Sequence, residues 1–309
     1  MLEDPQLDLG RLAREVREAY GLDARSFELR RGHDLFSVAY RIDTDIGPRF
    51  LKVLLRRPAA TPLAVPRAIK EAGISAVVPP IPAIGGSLAH ATADGSSLVL
   101  YPYVAGSNAV SRTMSADQWR GFGAALRAVH DSPLAARFRG LLPAEPFAMP
   151  WAPDLRRILA VGADPPLRSG AAARMAALLG ERAKVLERML RRAEELAGRL
   201  RHRPCERVLC HADIHAANLL VADDGRVLMV DWDGPMLAPR ERDLLFVIGS
   251  RIARRVEPQE EAWFFEGYGP VEIDPEALVF FRHERILEDV AIDAESILSD
   301  PRRDEAAAL

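Results

Sequence analysis

Asp213, Asn218 and Asp231 are the residues of this chain whose types and spacing suit metal-assisted phosphoryl transfer. Asp213 and Asn218 belong to an H-x-D-x4-N pattern that opens at His211 and lies between two short apolar runs, Val208 to Cys210 and Leu219 to Val221. A turn at Asp223-Asp224-Gly225 leads into Val227-Leu228-Met229-Val230-Asp231-Trp232-Asp233. Strands on either side of one loop would bring the three side chains to one point. Phosphoryl transfer needs such a set: one carboxylate to orient the attacking hydroxyl and accept its proton, and hard oxygen ligands to hold magnesium against the phosphates. Asp213 is expected to be the base, with Asn218 and Asp231 the metal ligands and His211 a support for the loop. Asp and Asn also occupy turns for purely local reasons, so any one of them alone would carry little weight.

Cys205, Cys210, His211 and His215 could instead be read as a zinc cluster. The spacing departs from the usual C-x2-4-C of structural zinc sites. Reduced, partly buried thiols beside a strand are the expectation.

These residues need elements to position them. Residues 8–20 place Leu9, Leu12, Val16 and Ala19 at helical spacing, with Gly21 at the end. Strand-like stretches follow at 26–30, 35–42 and 49–55, divided by turn-like segments at 32–34 and 43–47. A short helix is expected over 62–72, then an extended proline-rich stretch, then a hairpin of 86–91 and 97–103 turning at Asp94-Gly95. Beyond Ser111 the pattern is helical. Ser115 is a candidate N-cap for Ala116 to His130. Residues 171–201 read as one or two long helices, and 257–267, 275–281 and 283–298 as further ones. The expected fold class is α+β: a small β-rich N-lobe over 1–100, a hinge at 101–105 and a larger, mainly helical C-lobe over 106–309.

Lysine is rare here: Lys52, Lys70 and Lys184 are set against an arginine-rich background. Lys52 sits within Phe50-Leu51-Lys52-Val53-Leu54-Leu55. A lysine in so apolar a strand is either an edge-strand gatekeeper or a phosphate ligand, and the loop around Asp213 favours the ligand.

With these residues in view, His211 to Asn218 resembles the catalytic loop of the aminoglycoside phosphotransferase family, and Asp231-Trp232-Asp233 its metal-binding segment. Residues 234–244, Leu100-Tyr101-Pro102-Tyr103-Val104, 119–130 and 282–289 resemble the spectinomycin phosphotransferase branch. The resemblance implies a two-lobed protein-kinase-like fold and transfer from ATP or GTP, with Mg2+, to an alcohol group. It implies that Leu100, Tyr101 and Tyr103 lie in a hinge whose backbone binds the adenine edge. It also implies that Asp243 is a buried carboxylate accepting amide hydrogens from the catalytic loop. The sequence has no G-x-G-x-x-G, so phosphate contacts are expected from a turn near His33 to Ser37. The one glutamate between Lys52 and Glu145 is Glu71, late in its helix, and its pairing with Lys52 is left open.

The acceptor is expected beside Asp213, against the helical lobe. Aminocyclitols are cations and call for carboxylates. On the helix over 283–298, an apolar stripe at 286, 287, 290, 294 and 297 leaves Glu284, Glu288, Asp289 and Asp293 off it, which makes Glu284, Glu288 and Asp289 the candidate substrate residues. A solvated charged face is the plainer explanation for any one of them. Spectinomycin, with resistance as the outcome, is the leading acceptor. A kinase of an endogenous sugar, homoserine or choline-like alcohol is the alternative, and an inactive nucleotide-binding module is a third reading that intact Lys52, Asp213, Asn218 and Asp231 argue against. The chain has 309 residues, 49% hydrophobic and 28% charged, with a formal net charge of -3. That composition suits a globular protein of two lobes. The charge gives no bulk attraction to nucleic acid or to a membrane surface. The polar, acidic start and the lack of a membrane-length apolar run lead to a cytoplasmic expectation, as a monomer or homodimer.

Overall fold

A computed structural model describes residues 7–30, 37–55, 58–163 and 170–299. The front of the chain forms one antiparallel sheet with a helix on its face. Helix α1 (Leu9–Tyr20) starts where the Asp8 carboxylate accepts the Arg11 amide at 2.9 Å, and ends at Gly21 in the left-handed region. Strands β1 (Ala24–Arg30), β2 (Ser37–Thr44) and β3 (Gly47–Leu54) follow. After α2 (Ala60–Glu71), strands β4 (His90–Ala91) and β5 (Ser97–Pro102) complete the sheet in the order β1-β2-β3-β5-β4.

Strand periodicity decides which side chains face the cleft. Leu51 and Val53 of β3 join Leu98 and Leu100 of β5 under Leu12 and Val16 of α1. Lys52, between two inward residues, therefore points from the opposite face, where its register partners are Ala39 and Val99.

Helix α2 belongs to the other core. Its Val65, Ala68 and Ile69 are buried with Val77 among the residues of the large helical lobe. Val77 forms a bridge with Met229, whose amide bonds the Ala76 carbonyl at 2.8 Å. Strand β5 thus ends the sheet at Pro102, while Val65, Ala68, Ile69 and Val77 pack with the larger lobe.

That lobe comprises β6 (Gly106–Asn108), α3 (Ala116–His130), α4 (Leu134–Arg137), α5 (Ala152–Ala163), α6 (Gly170–Arg201), β7 (Val208–Cys210), a 3-10 turn (Ala216–Asn218), β8 (Leu219–Ala222), β9 (Val227–Met229), β10 (Met236–Ala238), α7 (Glu241–Leu244), α8 (Pro258–Tyr268) and α9 (Pro275–Ser299). Ser115 caps α3 in a reciprocal capping box with Gln118. Helices α3 and α8 approach closely at Gly123 and Gly267, where a Cβ on either would overlap the partner backbone. Helix α9 is continuous, so the expected break between 281 and 283 is absent. Its buried residues are Ala277, Leu278, Phe280, Phe281, Glu284, Leu287, Ala291 and Ala294. The expected stripe is corrected at Ile286, which is 42% exposed. The long run of buried residues that begins at Ala277 sets the helix rotation and turns 286 outward. No helix among the described residues is long and apolar enough to cross a membrane.

Candidate active site

Three short ladders build the site. β7 pairs with β10, and β8 lies between β6 and β9. The H-x-D-x4-N loop spans the gap from β7 to β8, and the end of β9 lies beside it. His211 packs against Trp232 with ring centroids 4.5 Å apart and the planes tilted by 52°, and its Nε2 lies 2.9 Å from the Val230 carbonyl oxygen. This histidine therefore ties the loop to the segment that carries Asp231.

Beneath the loop lies Asp243, fully buried within the short helix α7 that follows β10. Its carboxylate accepts the His211 amide at 2.9 Å and the Ala212 amide at 2.7 Å, and lies 3.1 Å from His130 Nε2. His130 in turn contacts the Tyr268 hydroxyl at 2.7 Å. These bonds hold Ala212 at φ 70, a left-handed conformation that costs a non-glycine residue on the order of 1 kcal/mol or more. Burial pushes the Asp243 carboxyl up, but the hydrogen bond and charge of His130, with the field and amide of His211, outweigh it and hold the pKa below the usual carboxylate value.

Asp213 emerges from this support with its two oxygens differently engaged. Asn218 Nδ2 donates to its backbone carbonyl at 2.8 Å and to Oδ2 at 3.3 Å. Oδ1 accepts from Arg285 Nη1 at 2.5 Å and lies 3.5 Å from His215 Nε2. Burial raises the Asp213 pKa, while His215 and the Arg285 charge lower it further than burial raises it. The carboxylate is ionised at neutral pH.

Lys52 reaches across from the sheet. Its Nζ lies 2.7 Å from Asp231 Oδ1 and 2.6 Å from Asp233 Oδ2. Burial disfavours the ammonium, yet the two carboxylates overcome that and raise its pKa. Asp231 sits at φ 65, a second left-handed residue at the site. Glu71 is turned elsewhere, 3.3 Å from Arg137. Asp231, Asn218 and Asp213 are thus joined in one line, because the Val230 amide bonds the Asn218 carbonyl at 3.0 Å.

The donor set suits magnesium. Asp231 and Asp233 present carboxylate oxygens around a positive charge, here the Lys52 ammonium. Asn218 commits its amide nitrogen to Asp213, which leaves the amide oxygen as the atom offered to a cation.

The remaining expected residues are placed less centrally. Ser37 opens β2 opposite Leu54. The expected phosphate-contacting turn around His33 lies outside the described residues. Leu100 buries its side chain under α1, and its carbonyl accepts the Ile81 amide at 2.7 Å. Tyr101 faces the cleft side against Phe50, and burial followed by the Asp233 charge raises its pKa. Tyr103 lies beneath Arg41, 5.2 Å from its ring centroid, and accepts from Arg30 at 3.3 Å.

On α9, Glu284 is buried and pairs with Arg242 at 2.6 Å. Glu288 is half-buried, and burial with the neighbouring Glu284 charge raises its pKa. Asp289 holds Arg285 Nε at 3.0 Å, while Asp293 is on the exposed side. The zinc arrangement is not formed. The cluster of metal-capable donors among the described residues is His130, Cys210 and Asp243, without Cys205 or His215.

The sequence reading placed Asp233 in the metal-binding segment by resemblance and weighed His215 only for a zinc cluster; the signal for Asp233 is its place two residues after Asp231. Arg285 had none, being one arginine among many and 72 positions from Asp213.

A solved spectinomycin phosphotransferase in complex with ADP and spectinomycin superposes with a TM-score of 0.86 at 27% identity, covering 96% of this chain and 90% of that one. The AMP-bound complex of the same enzyme gives 0.83 at 26% identity, covering 95% and 91%. Protein StrN of Streptomyces griseus is 31% identical over 184 residues, 57% of this chain. That match spans 55% of the length of StrN, so the chain is compared with about half of that curated relative. The phosphotransferase enzyme family matches residues 28–281, from β1 through most of the helical lobe, and the chain belongs to that family.

Proposed function

We propose that this protein transfers the γ-phosphoryl group of ATP or GTP to a hydroxyl of a cationic aminocyclitol, with spectinomycin the leading acceptor. One observation carries the reading. A chain of contacts runs from Lys52 on the sheet to Asp231, from its neighbour Val230 to Asn218, and from Asn218 through Asp213 to Arg285 and Asp289 on α9. A nucleotide at one end of that line and an acceptor at the other would meet at Asp213.

In this reading Asp213 accepts a hydrogen bond from the acceptor hydroxyl and takes its proton as the new oxygen–phosphorus bond forms. The bond from the γ-phosphorus to its bridging oxygen breaks, and the electron pair leaves on the nucleoside diphosphate. Lys52 exchanges its carboxylate partners for the α- and β-phosphates. Asn218 and Asp231, with Asp233 beside them, would hold magnesium, which when bound neutralises charge on the phosphates. Ser37 is the end of the phosphate-facing turn, and the backbone around Leu100, Tyr101 and Tyr103 receives the base. His211 and Asp243 hold the loop. Glu288 and Asp289 receive the acceptor's ammonium groups, and Glu284 supports them through Arg242. The work is done by one copy of the chain, alone or within a homodimer, in the cytoplasm.

The test is a kinase assay on purified protein, with ATP and GTP as donors and spectinomycin, aminoglycosides, homoserine and choline as acceptors. Phosphorylated spectinomycin in the mass spectrum is the expected outcome. Turnover of homoserine or choline, with none of spectinomycin or any aminoglycoside, would replace the antibiotic reading with that of a metabolite kinase.

A further inference from the structure

Arg285 joins the proposed base to the proposed acceptor helix. Its Nη1 donates to Asp213 Oδ1 at 2.5 Å and its Nε to Asp289 at 3.0 Å. The guanidinium lies over Phe246, with Cζ 5.6 Å from the ring centroid. The Arg285 side chain is 21% exposed, Asp213 42% and Asp289 47%, so the assembly opens to solutes. Asn218 already orients Asp213 through its carbonyl and Oδ2. The Arg285 bond therefore adds little to orientation, and it covers an oxygen that a hydroxyl would need.

We infer that Arg285 guards the base: it covers Asp213 until a cationic acceptor takes its place on Asp289. The inference rests on the kinase reading above. An acceptor that brings an ammonium to Asp289 and a hydroxyl to Asp213 meets the two carboxylates that the guanidinium now joins. Charge lets it compete there; water and neutral alcohols lack that means. The guard thereby selects acceptors with a positive charge near the hydroxyl, and it restrains hydrolysis of the nucleotide while no acceptor is bound. In that hydrolysis the water oxygen bonds to the γ-phosphorus. The bond from the γ-phosphorus to the β–γ bridging oxygen breaks, its electron pair leaves on ADP, and the water proton passes to Asp213 and then to solvent.

A purely structural arginine and a guard differ in sign. Removing a structural arginine misplaces Asp213 and slows both reactions, whereas removing a guard speeds hydrolysis. The experiment compares wild type, Arg285→Ala, Arg285→Lys and the double variant Arg285→Ala with Asp213→Asn. ADP release from magnesium–ATP is measured without acceptor, spectinomycin phosphorylation is measured separately, and circular dichroism checks folding. Arg285→Ala should raise acceptor-free hydrolysis on the order of tenfold, a modest part of the roughly 10²- to 10⁴-fold that a positioned base contributes. The double variant should lose that gain. Arg285→Lys should fall between, since a lysine cannot bridge two carboxylates as a planar fork does. Hydrolysis by Arg285→Ala at or below wild type, with spectinomycin still phosphorylated, overturns the guard and leaves the kinase reading standing. A wild-type enzyme that phosphorylates none of the acceptors overturns both. If Arg285→Ala does not fold, Arg285→Lys decides: a rise supports the guard and no rise overturns it.

Discussion

Asp213 is ionised, oriented and reachable, and those properties come from different neighbours. Asn218 fixes its direction, and Arg285 with His215 keeps its charge against the pull of burial. In the proposed mechanism a base so arranged contributes chiefly to the rate, because the proposed nucleotide contacts lie elsewhere, at Lys52 and Asp231. Asp213→Ala is therefore expected to lower kcat on the order of 10²-fold or more while nucleotide affinity changes little. Steady-state kinetics with a parallel nucleotide titration checks this, and wild-type turnover in the variant would remove Asp213 from the mechanism.

Helix α9 combines support with the proposed acceptor recognition on one element. Its buried face, Phe280, Phe281, Leu287 and Ala291, anchors it in the large core. Glu284 lies low and is committed to Arg242, one residue before Asp243. Asp289 stands one turn further along and is nearly half exposed, so it is the carboxylate of this helix best placed for a solute. Asp289→Asn removes a charge with little change in shape. Loss of one charge-assisted hydrogen bond typically costs about 1.5–3 kcal/mol, roughly 10- to 150-fold in affinity. The acceptor KM should rise within that range while the KM for ATP stays at the wild-type value, which a two-substrate kinetic matrix separates.

Two consequences belong to the molecule as a whole. The first follows from α2, which lies in sequence within the front lobe but buries Val65, Ala68 and Ile69 in the large core. Leu63 of the same helix packs with Leu54 and Val99 of the sheet, so the two lobes cannot part without uncovering apolar surface of α2. Ile69→Ala should destabilise by about 2–5 kcal/mol and lower the temperature of one shared calorimetric transition. Two separated transitions would show that the lobes unfold independently. The second follows from Asp243, whose folded pKa lies below its ordinary 3.8. A depressed carboxylate stabilises the fold above its unfolded pKa, and that contribution is lost as pH falls through the folded value. Wild-type stability should therefore drop as pH falls below 3.8. Asp243→Asn should be less stable at neutral pH and lose less of its stability over that acid range. Urea midpoints measured against pH test the slope, and parallel curves for the two proteins would contradict the assignment.

The sequence alone determined the elements whose signals are local. A lysine within an otherwise apolar run marks the strand around Lys52, Ser115 caps α3, and the apolar runs beside His211 and Asn218 become β7 and β8. Such features are legible because they depend on residues within a few positions of one another. The short strands β6 and β10 and the helix α5 were not read, since their existence depends on distant partners: β8, β7 and α6. The continuity of α9 and its rotation were likewise set by the core it packs on, which turned Ile286 outward. At the site the same division holds. Residue types and spacing single out Asp213, Asn218, Asp231 and Lys52. Only the tertiary structure brings Asp233 to Lys52 and Arg285 to Asp213, because contacts across 181 and 72 positions leave no periodic trace in the chain.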